Sequence, residues 1–176
     1  MSNINKHKNV GLKHIGLASL VSLVVVVFDQ LTKAWALNSL SFTHAVPVIP
    51  GLFDFQLVLN GGAAFGMGQG KTAFFLCVCL AVCILACYFL YTTPNLTTTL
   101  VVLFGCVVGG GIGNAIDRAT TGLVVDFIKF VPITFPEFNV ADIAISVGIC
   151  LIVIIVLVKD RKESDDSENS RDTNRS

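Results

Sequence analysis

The sequence predicts a membrane α-helical fold, with four transmembrane helices and a small β element in the first outer, periplasmic-side loop. Three observations lead there. Hydrophobic residues make up 53% of the chain and charged ones only 14%, whereas an ordinary soluble domain is about 25% charged. Four apolar segments approach the roughly 20 helical residues that a hydrocarbon core requires. Between the first two, Phe53, Phe55, Leu57 and Leu59 alternate with Asp54, Gln56 and Asn60, the period of a strand with one apolar face.

The predicted spans are Ile15 to Leu37, Thr72 to Tyr91, Leu96 to Ile116 and Ala141 to Val158. They divide the chain into a basic N-terminal segment (1–14), a four-span membrane domain (15–158) and a polar tail (159–176). The first span has a basic start and an Ala34-Trp35-Ala36 resembling a signal-cleavage site. Its polar stretch Asp29-Gln30-Leu31-Thr32-Lys33 argues instead for a retained span, because an acid and a base four residues apart face each other on a helix. Lys6, Lys8 and Lys13 precede the first span, and Lys159, Arg161 and Lys162 follow the last. By the positive-inside rule both termini are then cytoplasmic, as is the short Thr92–Asn95 connection. The two longer loops, 38–71 and 117–140, face outside, although they carry Lys71, Arg118 and Lys129.

In the first outer loop, the β element leads into Asn60-Gly61-Gly62-Ala63-Ala64-Phe65-Gly66, where glycines allow close backbone approach. The tail from Ser164 is polar and poor in aromatics, a composition that predicts disorder. The six cysteines, Cys77, Cys79, Cys83, Cys87, Cys106 and Cys150, lie in apolar runs without a CxxC pair and read as small hydrophobes. Cys79, Cys83 and Cys87 share one helix face, but nothing on that face balances a thiolate metal site, so neither metal nor cofactor is expected.

An ionisable group at bilayer depth costs at least about 2.5 to 3.5 kcal/mol, so the few in this chain are informative. Asp29 and Lys33 read as an ion pair that makes the first span tolerable, and Asp54 as a solvated strand residue. Asp117 reads as structural, an interfacial partner for Arg118 beside it. Asp126 lies among apolar and β-branched neighbours with no adjacent base, and Asp142 opens the fourth span. Each alone has a structural reading, Asp142 as a helix-start acid. Together they fall at one predicted interface with Asn60, Asn114, Arg118 and Asn139. Two carboxylates held close in a partly dry site share a proton, leaving one as base and one as acid, which activates water without a metal. There is no HExxH or GxSxG, and His7, His14 and His44 offer no serine–histidine arrangement.

Five blocks carry a family resemblance: Asp29-Gln30-Leu31-Thr32-Lys33, Asn60-Gly61-Gly62-Ala63-Ala64-Phe65, Gly110-Gly111-Ile112-Gly113-Asn114-Ala115-Ile116-Asp117-Arg118, Val125-Asp126-Phe127 and Phe138-Asn139-Val140-Ala141-Asp142. In this order they resemble the signature blocks of lipoprotein signal peptidase, or signal peptidase II, over roughly residues 15–158. The resemblance implies a monomeric aspartic endopeptidase of the bacterial inner membrane that cuts prolipoproteins just before a diacylglyceryl-modified cysteine. Its partners would be lipid-modified signal peptides and membrane lipid, with no nucleic acid. It further implies Asp126 and Asp142 as the catalytic pair, and Asn60, Asn114, Arg118 and Asn139 as residues lining or bracing the site. A second class is a small transporter or ion-conducting subunit using the same carboxylates to bind protons or cations. Against it, the acids gather at one face and no inverted repeat is visible. A presenilin-like protease would need GxGD where this chain has Gly111-Ile112-Gly113-Asn114.

Overall fold

The computed structural model describes residues 2–62, 68 and 70–173, with side chains given over 8–62, 68 and 70–161. Ala63, Ala64 and Phe65 of the second block, and Gly66 after it, therefore lie outside the described residues, as do the side chains of Lys6, His7 and Lys162. The elements in chain order are α1 (Ser2–Ser39), β1 (Val46–Ile49), β2 (Phe53–Asn60), α2 (Thr72–Thr92), α3 (Thr98–Thr120), β3 (Val124–Phe130) and α4 (Val140–Thr173). Four stretches are long and apolar enough to cross a membrane: Lys8–Ser39, Thr72–Thr92, Thr98–Thr120 and Val140–Arg161. The backbone of α4 continues helically to Thr173, into the stretch whose composition predicts disorder. Once a helix is nucleated, each further residue adds one backbone hydrogen bond, so a polar extension can follow an apolar span.

Large apolar side chains point outward, Leu20, Leu23 and Leu31 on α1 and Leu80 and Leu85 on α2 among them, while Asp29 and Lys33 are buried. This polarity is inside-out for water and natural for lipid, which solvates leucine as well as a protein core does. The helices gather around α3. Added Cβ atoms on Gly105 and Gly109 would lie 2.8 Å from the carbonyl oxygens of Ala18 and Ser22 of α1. On another face, a Cβ on Gly110 would lie 2.5 Å from the Ala141 oxygen of α4. Small residues thus let three backbones approach closely, which is how packing replaces the hydrophobic effect in lipid. The Ser22 hydroxyl adds a 2.8 Å bond to the Gly105 carbonyl.

The β element is larger than the sequence suggests. It is a three-stranded antiparallel sheet, order β1-β2-β3, whose third strand comes from the second outer loop. Its apolar face, with Leu57, Val125 and Phe127, packs on Ala36 near the end of α1, and Trp35 stands edge-on to Phe55 and Phe127. The register slips between Phe55 and Val58, after which Val58 faces Asp126 and Asn60 faces Val124. A one-residue slip exchanges the faces of a strand. Continued in the register of Phe53 with Phe130, β2 would set Asn60 opposite Leu123 and on the face away from Asp126. The irregularity also breaks the even apolar alternation: Leu57 is 2% exposed and Leu59 41%.

Candidate active site

The site is assembled where β3, the start of α4 and the end of α3 meet. The chain before α4 is stitched to β3 through Phe138, whose carbonyl accepts from Phe127 (3.1 Å) and Ile128 (2.9 Å) and whose N–H donates back to Ile128 (3.0 Å). The next residue, Asn139, is thereby set beside Asp126. Asn139 caps α4: its Oδ1 accepts from the Asp142 backbone N–H at 3.0 Å, and the Asp142 carboxylate accepts from the Asn139 N–H at 3.2 Å. This reciprocal arrangement is a capping box, with aspartate where glutamate is usual. The same Asn139 donates through Nδ2 to Asp126 Oδ1 at 2.7 Å. One fully buried asparagine therefore bonds both carboxylates.

The remaining oxygens are also engaged. Asn60 Nδ2 donates to Asp126 Oδ2 at 3.0 Å, and Asn114 Nδ2 to Asp142 Oδ1 at 2.8 Å. Burial pushes the Asp126 carboxyl, which is 2% exposed, up to about 7. The Asn60 hydrogen bond opposes that rise, the nearby Asp142 charge adds to it, and the Asn139 bond opposes it again. A cavity of ≈ 440 Å³ lies at the pair, with the polar Asn60, Arg118, Asp126 and Asp142 and the apolar Ile143 and Val147 of α4 in its lining.

Arg118 donates to the Gly62 carbonyl at 2.7 Å and lies 4.5 Å from the centre of the Phe75 ring, so it ties α3 to the glycine-rich turn and to α2. It does not pair with Asp117. Neighbours on a helix point about 100° apart, and Asp117 turns inward instead. There it meets Lys33 at 2.8 Å, Gln30 Nε2 at 2.9 Å and the Val125 N–H at 3.2 Å. The Lys33 to Asp29 pair forms as expected at 2.8 Å, and Asp29 also accepts from the Ala141 N–H at 3.0 Å. This buried group underlies the site: Asp117 holds the start of β3 and Asp29 the start of α4.

The structure thus brings together Asp126, Asp142, Asn60, Asn114, Asn139 and Arg118, and seats Asp29, Lys33 and Asp117 beneath them. Sequence reasoning gave no role to Gln30 or Phe75. Gln30 sat visibly in the polar break of the first span, while nothing marked Phe75 among the phenylalanines of the second. Among the described residues, no group of three or more His, Cys, Asp or Glu is arranged to hold a metal ion.

A family model described as signal peptidase (SPase) II matches residues 21–158. A lipoprotein signal peptidase of Symbiobacterium thermophilum is 38% identical over 148 residues, covering 83% of this chain and 97% of the relative. One of Staphylococcus aureus is 35% identical over 156 residues, covering 88% and 95%. The fold is similar to that of a bacterial membrane enzyme solved by the in meso method, with a TM-score of 0.76 and 36% identity over 84% of this chain and 90% of the other.

Proposed function

The chain belongs to the signal peptidase II family, and from that premise we propose that it is an aspartic endopeptidase working through Asp126 and Asp142 on diacylglyceryl-modified prolipoproteins. It removes the signal peptide by cutting just before the lipidated cysteine. The observation that carries this reading is Asn139, which bonds both carboxylates beside a cavity lined by both polar and apolar side chains.

In the reaction, one carboxylate takes a proton from water as the water oxygen attacks the scissile carbonyl carbon. The other, protonated, hydrogen-bonds the carbonyl oxygen as negative charge develops there. Collapse of the tetrahedral intermediate breaks the C–N bond, and the proton taken from water passes to the leaving amine. Asp126, raised to about 7 by burial, is suited to hold a proton near neutral pH. Asn60, Asn114 and Asn139 keep both carboxylates oriented, and Arg118 secures the turn after Asn60. The signal helix and the acyl chains both prefer hydrocarbon, so the scissile bond rests at the interface, where water enters. In this reading the protein works in the bacterial inner membrane as a monomer, with both termini cytoplasmic and the site near the outer face.

The test incubates purified protein with a diacylglyceryl-modified prolipoprotein and follows signal-peptide release, with the unmodified precursor as control. Cleavage of the modified substrate alone is expected, and Asp126→Asn or Asp142→Asn should each abolish it in protein that still inserts. Normal cleavage by either variant removes that residue from the pair.

A further inference from the structure

Lys33 is 2% exposed, so its ammonium is cut off from bulk solvent. An ammonium has three N–H donors, and its Nζ has three acceptors, each at 2.8 Å: Asp29 Oδ2, Asp117 Oδ2 and Asn114 Oδ1. Two of these are carboxylates, which would suffice for charge balance. The third is a neutral amide that belongs to the candidate site.

That third bond decides which way the Asn114 amide points. Its oxygen accepts from Lys33 and, at 3.0 Å, from Asn139 Nδ2. Its nitrogen is left to donate to Asp142 Oδ1 at 2.8 Å. The two ends of an amide are nearly the same size, so sterics alone do not fix the choice. The Asn139 bond contributes less than the Lys33 bond, because Asn139 Nδ2 is shared among Asn114, Asp126 and the Val125 carbonyl. A charge-assisted bond is roughly twice as strong as a neutral one. Turned over, Asn114 would set its NH2 group against the ammonium and its oxygen against the Asp142 carboxylate.

We infer that Lys33 is a positioning residue: by occupying Asn114 Oδ1 from the first span, it keeps the Asn114 NH2 group aimed at Asp142. The inference rests on the dyad reading proposed above. The charged groups around Asp142 are Asp29 and Lys33 from α1, Asp117 and Arg118 from α3, Asp126 from β3 and Glu137 from the loop before α4. Among them Lys33 alone holds Asn114 by its oxygen side chain to side chain. Without that bond the Asn114 oxygen keeps only the shared Asn139 donor, and an amide oxygen turned toward the carboxylate favours its protonated form.

Removing Lys33 alone would strand two buried carboxylates, and breaking a buried pair in this way is strongly destabilising. The test therefore uses Lys33→Met together with Asp29→Asn, which keeps the local charge sum, leaves Asp117 with its Gln30 and Val125 N–H donors and retains a side-chain oxygen to accept from the Ala141 N–H. In single-turnover cleavage normalised to folded protein, the double variant should lose about 10- to 100-fold in rate, the usual cost of removing an orienting partner. Substrate affinity should stay within about two-fold, and the acid limb of the pH profile should move up by about one pH unit. Asp29→Asn alone keeps the Lys33 to Asn114 bond and should raise the acid limb no higher than wild type. Asp29→Asn with Lys33→Gln, which returns an uncharged N–H donor toward Asn114 Oδ1, should keep the acid limb near wild type, and decides the matter if the Lys33→Met double variant does not fold. A folded Lys33→Met double variant with wild-type rate and profile, or a folded Lys33→Gln double variant whose acid limb moves up by about one pH unit, overturns the inference while leaving the peptidase reading intact. No cleavage by the wild-type protein overturns both.

Discussion

The two carboxylates reach one cavity from different kinds of element. Asp142 belongs to the first turn of a helix, where backbone N–H groups await an acceptor, whereas Asp126 sits inside a strand and draws its partners from side chains. Asp126 therefore carries a burial cost that depends on pH. Its folded carboxyl titrates near about 7 against an ordinary 3.8, so between those values the folded protein keeps a proton that the unfolded chain has shed. The stability tied to that proton is present below the ordinary carboxylate range, falls as pH rises toward 7, and is constant above it. Asp126→Asn cannot ionise. Its stability in detergent, followed through Tm, should therefore gain on wild type from about pH 4 to 7, by on the order of a few kcal/mol in unfolding free energy, and then hold level. The lost hydrogen bonding gives a constant offset, so the slope is the readout, and a gap independent of pH would remove burial as the cause. At this scale the sequence was informative about which polar residues matter, because membrane depth makes each one costly. It was poor on partners: chain adjacency suggested Asp117 with Arg118, and helix geometry gave Asp117 to Lys33 instead.

The helices and the sheet were unequally legible. Long apolar runs announce spans, and the observed spans overlap the predicted ones within a few residues at most ends. The strand β3 was read as loop, though Val124, Val125, Phe127 and Ile128 have strand chemistry. The slip in β2 leaves no trace in its residue pattern, since pairing with β3 creates it. Nor was the cap of α4 recognised, although Asn139 and Asp142 stand at capping-box spacing. The glycines of α3 lie close together in the chain, and only packing separates them. A Cβ on Gly113 would lie 2.5 Å from Asp29 Oδ2, whereas one on Gly111 meets only the Cys79 Sγ at 3.6 Å. Gly113→Ala should push Asp29 off Lys33 and the start of α4, costing about 1 to 3 kcal/mol, as overpacking does. Gly111→Ala should be neutral or gain up to about 1 kcal/mol from helix propensity. Thermal unfolding of the two purified variants makes the comparison, and equal losses would mean that α3 does not depend on the close approach at Gly113.

Orientation in the membrane is a property of the whole chain, and here the site and the charges make separate demands on it. The sheet and the dyad lie at one end of the helices: β1 and β2 follow the end of α1, β3 follows the end of α3, and Asp142 opens α4. Lys8 and Lys13 lie toward the other end of α1, and Lys159 and Arg161 toward the other end of α4. Lys and Arg beside spans are retained on the cytoplasmic side, and on that rule we propose that the far end lies inside and the dyad outside. Lys71, Arg118 and Lys129 oppose this. Two of the three are already engaged in the fold, Arg118 with Gly62 and Phe75 and Lys129 with Gln56, but topology is set as the chain inserts, before those contacts exist. The basic clusters must therefore prevail by position, next to the first and last spans. A reporter active only outside the cytoplasm should be silent when fused after Lys162 and active when fused after Thr43, in the loop between α1 and β1. The opposite pattern would invert the molecule and turn the dyad toward the cytoplasm. Activity at both positions would mean that one of the four candidate spans does not cross.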